Sequence, residues 1–263
     1  MNNDLEEKYN KLIDDNVNVG KRSDGQEFLI LITGLVALCL FIYIFADIFA
    51  SFVIDNLSDK SQVKIENVLS FGESSFDKVD KHKQKIEYLE LVKPKIVKMD
   101  RRLQGKSKFD IYEIDKDIVN AFVEPNGTIY ITSGLLDKID DKEILTFILA
   151  HEMGHYAHRD HLKVFGRELI VATLISFITF GQKDIATTVN GITSVNKIHH
   201  SHKQEENADK YANHVLYKLY GNNNAAVKFF EFLKKEENLP EFVYYFSTHP
   251  SNDRRLYVIQ HNR

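Results

Sequence analysis

The longest uncharged stretch of the chain, Phe28–Ala46, limits the possible folds more than any other segment. Its 19 residues contain no Asp, Glu, Lys or Arg, and a helix rising about 1.5 Å per residue would carry them across the roughly 30 Å hydrocarbon core of a bilayer. The stretch follows a polar segment of 27 residues and exceeds the roughly 7 to 15 apolar residues of a signal-peptide core. We therefore predict a transmembrane helix; a buried helix of a soluble domain is the alternative.

The charge pattern predicts four consecutive parts of the chain. They are a polar N-terminal segment (1–27), a transmembrane anchor (28–54), a charged juxtamembrane tether (55–81) and one soluble domain (82–263). An apolar content of 43% and a net charge of −4 suit one substantial core. No basic block is long enough to follow a phosphate backbone, so we expect no nucleic-acid partner.

The charges that flank the anchor predict its orientation. Lys21 and Arg22 precede it closely, whereas Lys60 and Lys64 lie farther beyond its end. Because cytoplasmic flanks carry the excess of Lys and Arg, we expect the soluble domain on the other side, in the periplasm of a bacterial cell. The single cysteine, Cys39, lies within the anchor, and a soluble domain without thiols is compatible with an oxidising compartment.

A metal-binding motif lies in the soluble domain. In His151-Glu152-Met153-Gly154-His155 the histidines are four residues apart, so on a helix both imidazoles reach one metal ion while Glu152 points toward a metal-bound water. Asp140 and Glu143 predict the N-cap of that helix and its capping partner. A glycine such as Gly154 destabilises a helix interior relative to alanine, so its presence indicates that another element packs closely against that turn. The alternative is a pair of core or surface histidines without a metal.

A second helix can supply the third ligand that a tetrahedral catalytic zinc requires. Glu205 and Asp209 are four residues apart, and Ala208 and Ala212 give the same segment a small face for close packing. Glu205 is the candidate ligand, whereas Asp209 is better placed to accept a hydrogen bond from a ligating imidazole and fix its orientation. The alternative is a solvated acidic face.

These motifs, in this order, resemble the M48 family of membrane-associated zinc metallopeptidases. The resemblance covers approximately residues 80–260 and rests on these segments: His151–His155, Glu205–Asp209, Ser247–Ser251 followed by Arg255-Leu256, Asn120–Phe122 and Gly127–Leu136. It implies an α+β fold in which a mostly helical zincin-like metallopeptidase domain with a small β-sheet follows one N-terminal transmembrane helix.

The resemblance also implies roles for individual residues. His151, His155 and Glu205 would bind one Zn2+ ion, with Glu152 as the general base. His249 and Arg255 would stabilise the oxyanion. The alternatives are that His249 is a capping histidine and Arg255 a surface arginine.

One segment departs from the family pattern. The family often has Ser-Arg shortly before the ligand glutamate, whereas this chain has Ser201-His202, so histidine stands in the position of that arginine. The nearby histidines His199, His200 and His202 could hold a second metal, but a solvated loop and helix start is the expectation. We therefore leave these three residues out of the predicted site.

The segment before the zinc helix predicts how a peptide would bind. Thr128–Thr132 alternates polar and apolar residues and follows the turn signal Pro125-Asn126-Gly127. If this hairpin strand is an edge strand, Ile129, Tyr130 and Ile131 would pair with an extended substrate through backbone hydrogen bonds. An ordinary core strand fits the pattern equally well.

Periodicity predicts the remaining elements. We expect a helix over Lys83–Leu103 that is interrupted near Pro94, strands within 109–132, and helices over Ala208–Tyr220 and 225–237. The apolar run Leu169–Phe180 has 12 residues, which is short for a bilayer, so a core or interfacial helix is expected there.

Together these features predict a membrane-anchored zinc endopeptidase. Its substrates would be polypeptides, including misfolded or membrane-associated proteins, and the resemblance suggests protein quality control in the envelope. One alternative is a non-catalytic metal-binding scaffold or chaperone, although a scaffold has no need for Glu152 between the two ligands. Another is a processing peptidase for lipid-modified proteins, which a single span favours less because that work needs an enclosed membrane chamber.

Overall fold

The computed structural model describes residues 3–14, 23–69, 76–178, 200–236, 240–250 and 253–261. The chain forms two compact units, Met1–Phe45 and Ala46–Arg263. Within the described ranges the elements follow in this order: α1 (Asn3–Asp14), α2 (Asp24–Asp55), α3 (Asp59–Leu69), β1 (Lys78–Val79), α4 (Lys83–Met99), β2 (Ile111–Ile114), β3 (Ala121–Val123), β4 (Ile129–Thr132), α5 (Ser133–Lys138), α6 (Lys142–Ala157), α7 (Asp160–Ile178), α8 (His202–Tyr220), α9 (Asn224–Glu236), α10 (Pro240–Thr248) and α11 (Asp253–His261).

The first unit contains α1 and the N-terminal part of α2. Acidic residues in the first turn of α2, Asp24 and Glu27, suit the positive end of a helix. The large apolar side chains that follow, from Phe28 to Phe45, are exposed, except that Ile42 is partly buried. Among the described helices, α2 is the one long and apolar enough to cross a membrane, and none of its most apolar stretch is buried. The helix predicted at Phe28–Ala46 is confirmed, and burial in a soluble core does not account for it.

A four-stranded mixed sheet lies in the second unit, in the order β1-β2-β4-β3. Strands β2 and β4 are parallel, whereas β1 pairs with β2 and β3 pairs with β4 in antiparallel fashion. The turn between β3 and β4 contains Gly127 at φ 85°, a conformation that favours glycine. Together with the many helices, this sheet confirms the predicted α+β fold class and the predicted hairpin.

β4 is an interior strand of this sheet. It pairs with β2 on one side and with β3 on the other, and all its residues are buried. The prediction of a substrate edge strand at Ile129, Tyr130 and Ile131 is therefore wrong. Its alternation suggests one solvated face, but the rings of Phe76 and Phe122 cover Tyr130 at centroid distances of 5.3 and 5.4 Å. The edge strand on this side is β3.

Helix α6 runs through the core, and its last 14 residues are buried. Its N-cap is Asp141, whose side chain accepts hydrogen bonds from the backbone N–H groups of Glu143 and Ile144 at 2.9 and 3.4 Å. Asp140 instead forms an ion pair with Lys85 at 2.6 Å. The predicted cap is one residue off, because two adjacent aspartates carry the same capping signal.

Helix α4 is continuous through Pro94. The predicted interruption there is wrong, because one apolar face of α4 is buried against α6 and β2 and holds the helix together. This packing offsets the roughly 3 kcal/mol that a proline costs in a helix interior. The buried residues on that face are Leu89, Val92 and Ile96.

Helix α7 has two different halves. In its first half Arg167 is buried and forms an ion pair with Asp47 of α2 at 3.1 Å. In its second half three large apolar side chains are exposed: Leu174, Ile175 and Phe177. The run Leu169–Phe180 is therefore not a core helix, and its last two residues lie outside the described ranges. An interfacial position for this run stays a prediction.

Deleting Phe28–Ala46 tests whether this stretch is the membrane anchor. We expect the shortened protein to move from the membrane pellet to the soluble fraction, because burial of this apolar surface is what holds a helix in a bilayer. Cell fractionation followed by alkaline carbonate extraction measures the change, with the intact chain as control. Carbonate-resistant membrane association of the shortened protein would contradict the assignment and point to the exposed half of α7.

Candidate metal centre

Helix α6 brings the two motif histidines together. His151 and His155 lie one turn apart and are buried, and their Nε2 atoms are 3.1 Å apart. Each of these nitrogens therefore directs a lone pair or a proton toward the same point in the protein interior.

Helix α8 brings Glu205 to the same point. A capping box between Ser201 and Gln204 begins this helix and satisfies its first N–H groups, so Glu205 lies in the first turn and is fully buried. Its Oε1 lies 3.2 Å from His155 Nε2, and its Oε2 lies 3.5 Å from His151 Nε2.

The close approach of α6 and α8 depends on small residues. A Cβ atom added to Gly154 would lie 3.3 Å from Ala208 Cα and 3.1 Å from the ring of Tyr211. Ala208 and Ala212 are themselves fully buried. The close packing expected at Gly154 and the small face expected on α8 are both confirmed.

The donor atoms of His151, His155 and Glu205 fit a metal ion. They are 3.1 to 3.5 Å apart, and ligands about 2.0–2.2 Å from a tetrahedral ion lie about 3.3–3.6 Å from one another. Two imidazole nitrogens and one carboxylate oxygen form a ligand set that leaves the fourth position open for catalysis.

Two carboxylates hold the imidazoles in place. Asp209 Oδ1 lies 3.0 Å from His151 Nδ1, and Asp160 Oδ2 lies 2.9 Å from His155 Nδ1. His155 Nδ1 forms a hydrogen bond with Asp160, whereas His151 Nδ1 and Asp209 are in ion-pair contact without hydrogen-bond geometry. With its proton on Nδ1, an imidazole can direct the lone pair of Nε2 to a metal. Asp209 lies beside His151, and its predicted hydrogen bond to that imidazole stays a prediction.

Sequence reasoning missed Asp160. This residue lies on α7, beyond the end of the motif helix, and the turn at His158 and Arg159 returns it to His155. An acidic residue shortly after the last motif histidine is a usable signal, because a ligating imidazole almost always donates its other N–H to an acceptor.

Arg255 lies against the carboxylates. Its Nε and Nη2 donate to both oxygens of Asp209 at 2.7 and 2.9 Å, and its Nη1 lies 2.8 Å from Glu205 Oε2. The residue is buried and does not line the cavity beside Glu152. The predicted oxyanion contact of Arg255 is corrected accordingly, because two buried carboxylates attract its guanidinium.

His249 and Glu152 meet on the cavity side of the centre. His249 Nδ1 lies 3.1 Å from Glu205 Oε1, and its Nε2 lies 3.6 Å from Glu152 Oε1. Both residues line a cavity of about 20 Å³ that the edge strand β3 also borders. That volume is about what one water molecule needs.

His200 also belongs to this cavity. Its ring stacks on His155 at a centroid distance of 3.8 Å and an interplanar angle of 11°, and burial lowers its pKa well below the usual value. The expectation of a solvated loop is wrong for this residue. His202 is exposed at the start of α8, and His199 lies outside the described residues.

Carboxylates control the protonation of the histidines when no metal is bound. Burial lowers the pKa of His155, but hydrogen bonds with Asp160 and Glu205 outweigh it and raise that pKa to about 10. Burial raises the pKa of Glu205, but the charges of His249 and Arg255 hold it well below its usual range. At neutral pH a metal ion must therefore displace the His155 proton.

A buried His-Glu-x-x-His helix beside a small mixed sheet, completed by a glutamate from a later helix, defines a metallopeptidase of the zincin type. The chain belongs to peptidase family M48, which its residues 85–263 match. This family is metal-dependent, and the chain contains a buried cluster of two histidines and one glutamate that could hold a metal ion.

The chain is similar to several named proteases. It is 28% identical over 179 residues to the human mitochondrial metalloendopeptidase OMA1, a match covering 61% of this chain and 34% of that protein. It is 42% identical over 62 residues to protease HtpX of Legionella pneumophila strain Corby, covering 22% of each. It is 35% identical over 92 residues to a protease HtpX homolog of Acidiphilium cryptum, a match covering 32% of this chain and 30% of that protein. The matches thus span about a third or less of these relatives.

Gly154→Ala should weaken metal binding. Alanine favours the helix itself by about 1 kcal/mol, but the added Cβ pushes α8 and Glu205 away from the histidines. We therefore expect metal affinity to fall about 10-fold, which is the size of effect seen when residues that orient metal ligands are mutated. Chelator competition measures the affinity. Gly25→Ala is the control, because no atom lies within 4 Å of the added Cβ. Unchanged affinity in Gly154→Ala would show that α8 can move without loss of the site.

Metal binding should release a proton near neutral pH. Because the pKa of His155 is raised to about 10, the imidazole is protonated at pH 7, and apparent affinity should fall about tenfold for each pH unit of acidification. Calorimetric titration in buffers of different ionisation enthalpy counts the protons released. An affinity that does not vary between about pH 6 and pH 8 would contradict the protonation assigned to the site.

Proposed function

We propose that this protein is a membrane-anchored zinc metalloendopeptidase. The observation that carries the proposal is the convergence of His151 Nε2, His155 Nε2 and Glu205 at 3.1 to 3.5 Å, with Glu152 beside them in a cavity. Membership of peptidase family M48 supports the hydrolysis of peptide bonds. The location of Glu152 in that cavity also favours an enzyme over a metal-binding scaffold.

Zinc is the metal that suits these ligands best. Two imidazoles and one carboxylate are typical of catalytic zinc sites. When bound, the metal supplies a Lewis acid for the scissile carbonyl and lowers the pKa of water. Asp160 and Asp209 keep the two imidazoles in the tautomer that can ligate.

Glu152 is the proposed general base. It is buried, follows the ligand His151 directly, and borders the same cavity as His155. Its carboxylate would accept a proton from the attacking water and deliver it to the leaving amine. General acid–base catalysis of this kind typically contributes about 100-fold to 10,000-fold in rate.

His249 and Arg255 have different proposed roles. The Nε2 of His249 faces the cavity near Glu152 and would donate a hydrogen bond to the developing oxyanion. Arg255 would act as a positioning residue, because its guanidinium holds Asp209 and Glu205 in the arrangement described above.

The edge strand β3 is the proposed platform for substrate. Asn120 accepts from Thr132 N–H at 3.0 Å, and Glu124 N–H donates to Thr128 at 2.8 Å, so even-numbered residues pair with β4. In an antiparallel strand the intervening residues direct their backbone groups the other way. The backbone of Val123 and the N–H of Ala121 would therefore pair with an extended peptide, whereas the Ala121 carbonyl oxygen lies 3.4 Å from His249 Nε2.

The location and substrates follow from the anchor. With α2 in a membrane, nearby unfolded or membrane-associated polypeptides would be the substrates, and envelope protein quality control is the proposed role. The charges before and after the anchor support an extracytoplasmic catalytic domain. The names of the relatives, protease and metalloendopeptidase, support cleavage of polypeptides.

Glu152→Gln tests the proposed chemistry. We expect cleavage of an unfolded protein substrate to fall about 100-fold or more, while zinc affinity stays within about threefold because no ligand is changed. Glu143→Gln is the matched control, since it makes the same substitution in the first turn of the same helix. Gel-based cleavage assays and chelator competition give the two readouts. Equal cleavage by the wild type and Glu152→Gln would refute the proposal that this protein hydrolyses peptide bonds with Glu152 as the general base.

A further inference from the structure

The turn between α6 and α7 contains a residue in an unusual backbone conformation. Arg159 has a φ of 58°, in the left-handed region that residues other than glycine rarely adopt. Such a conformation costs on the order of 1–3 kcal/mol and persists where surrounding contacts hold it in place. The side chain of Arg159 provides such contacts.

The guanidinium of Arg159 binds the end of α2. Its Nη1 donates to the carbonyl oxygens of Ile54 and Leu57 at 2.8 and 2.9 Å, and its Nη2 lies 3.1 Å from Asp59 Oδ1. The last carbonyls of a helix have no partner within the helix and carry its negative end. Arg159 satisfies two of the carbonyls at and just beyond this end, so it caps the helix that contains the anchor.

The next residue along the chain supports the metal site. Asp160 is 2% exposed and accepts from His155 Nδ1 at 2.9 Å. Consecutive Cα atoms are about 3.8 Å apart across a rigid peptide bond. A displacement of Arg159 therefore moves Asp160 directly.

A second contact fixes the same turn from α3. Glu66 is buried and accepts from the hydroxyl of Tyr156 at 2.9 Å, and it lies 3.2 Å from His161 Nε2. Tyr156 and His161 flank the turn on both sides. The residues that follow the anchor thus hold both ends of the turn, and Arg159 holds its middle.

We propose that Arg159 is a positioning residue that couples the end of α2 to the metal ligand His155 through Asp160. The inference rests on the proposed function, since it assigns His155 to the metal. Its consequence is that metal affinity depends on contacts made by the segment next to the membrane helix, which contributes no ligand. If Arg159 only capped α2, its replacement would lower the free energy of unfolding but leave metal affinity unchanged.

Arg159→Gly separates these two roles in the full-length protein. Glycine adopts a φ of 58° readily, so the backbone strain is relieved while the contacts with Ile54, Leu57 and Asp59 are lost. We expect zinc affinity to fall about 10- to 100-fold, the range found for residues that orient ligands. Chelator competition on detergent-purified protein gives the affinity, and the visible spectrum of the cobalt-substituted protein reports the ligand geometry.

Two further variants calibrate the result. Asp160→Asn alters the group that orients His155 and should reduce zinc affinity at least as much as Arg159→Gly. Lys163→Gln removes another cation of the same region, which pairs with Asp55 at 2.8 Å, and should leave affinity and cobalt spectrum unchanged. Arg159→Lys keeps the positive charge but loses the forked N–H donors of the guanidinium. Its zinc affinity should therefore lie between those of the wild type and Arg159→Gly.

The outcomes distinguish this inference from the proposed function. Zinc affinity and a cobalt spectrum identical to wild type in Arg159→Gly, with a loss in Asp160→Asn, would overturn the coupling and leave the metal site intact. An equal loss in Lys163→Gln would also overturn it, because the effect would then be one of general charge. A wild-type protein that binds no zinc would refute the proposed function itself.

Discussion

The packing of α6 against α8 is the interaction on which the metal centre depends. His151 and His155 come from one helix and Glu205 from the other, so their separation is set by how closely two backbones can approach. Gly154 and Ala208 allow that approach because neither presents more than a methyl group at the contact. The catalytic ligands are thus positioned by the smallest side chains in the interface.

The buried carboxylates of the site require compensating positive charge. Four carboxylates, each at most 2% exposed, surround the imidazoles: Glu152, Asp160, Glu205 and Asp209. Buried carboxylates without compensating charge are strongly unfavourable, and Arg255 offsets only part of this charge. Protons on the histidines or a divalent cation supply the rest. Metal binding and conformational stability are therefore linked in this domain, as in other metalloproteins.

Contacts that follow from residue spacing along a helix were predictable from sequence, including the approach of α6 and α8, whereas strand pairing and the turn after α6 were not. A spacing of four residues placed both histidines of 151–155 on one face and related Asp209 to Glu205. The position of β4 inside the sheet depends on pairing with β2, which no local pattern encodes. Asp160 reaches His155 across a turn in which Arg159 adopts a left-handed conformation that local propensity disfavours. Arg255 was found by resemblance, and its carboxylate partners became evident from the packing of α11 against α8.

The edge strand β3 has only three residues, and only two of them direct backbone groups away from β4, so it can hold few peptide groups of a substrate. Recognition through so few backbone hydrogen bonds is weak and carries little information about sequence. An enzyme and a substrate confined to the same membrane, however, meet at a high effective concentration, which raises apparent affinity without any new contact. For such a protease, selectivity would come from residence in the same bilayer, and proteins dissolved elsewhere would escape cleavage whatever their sequence.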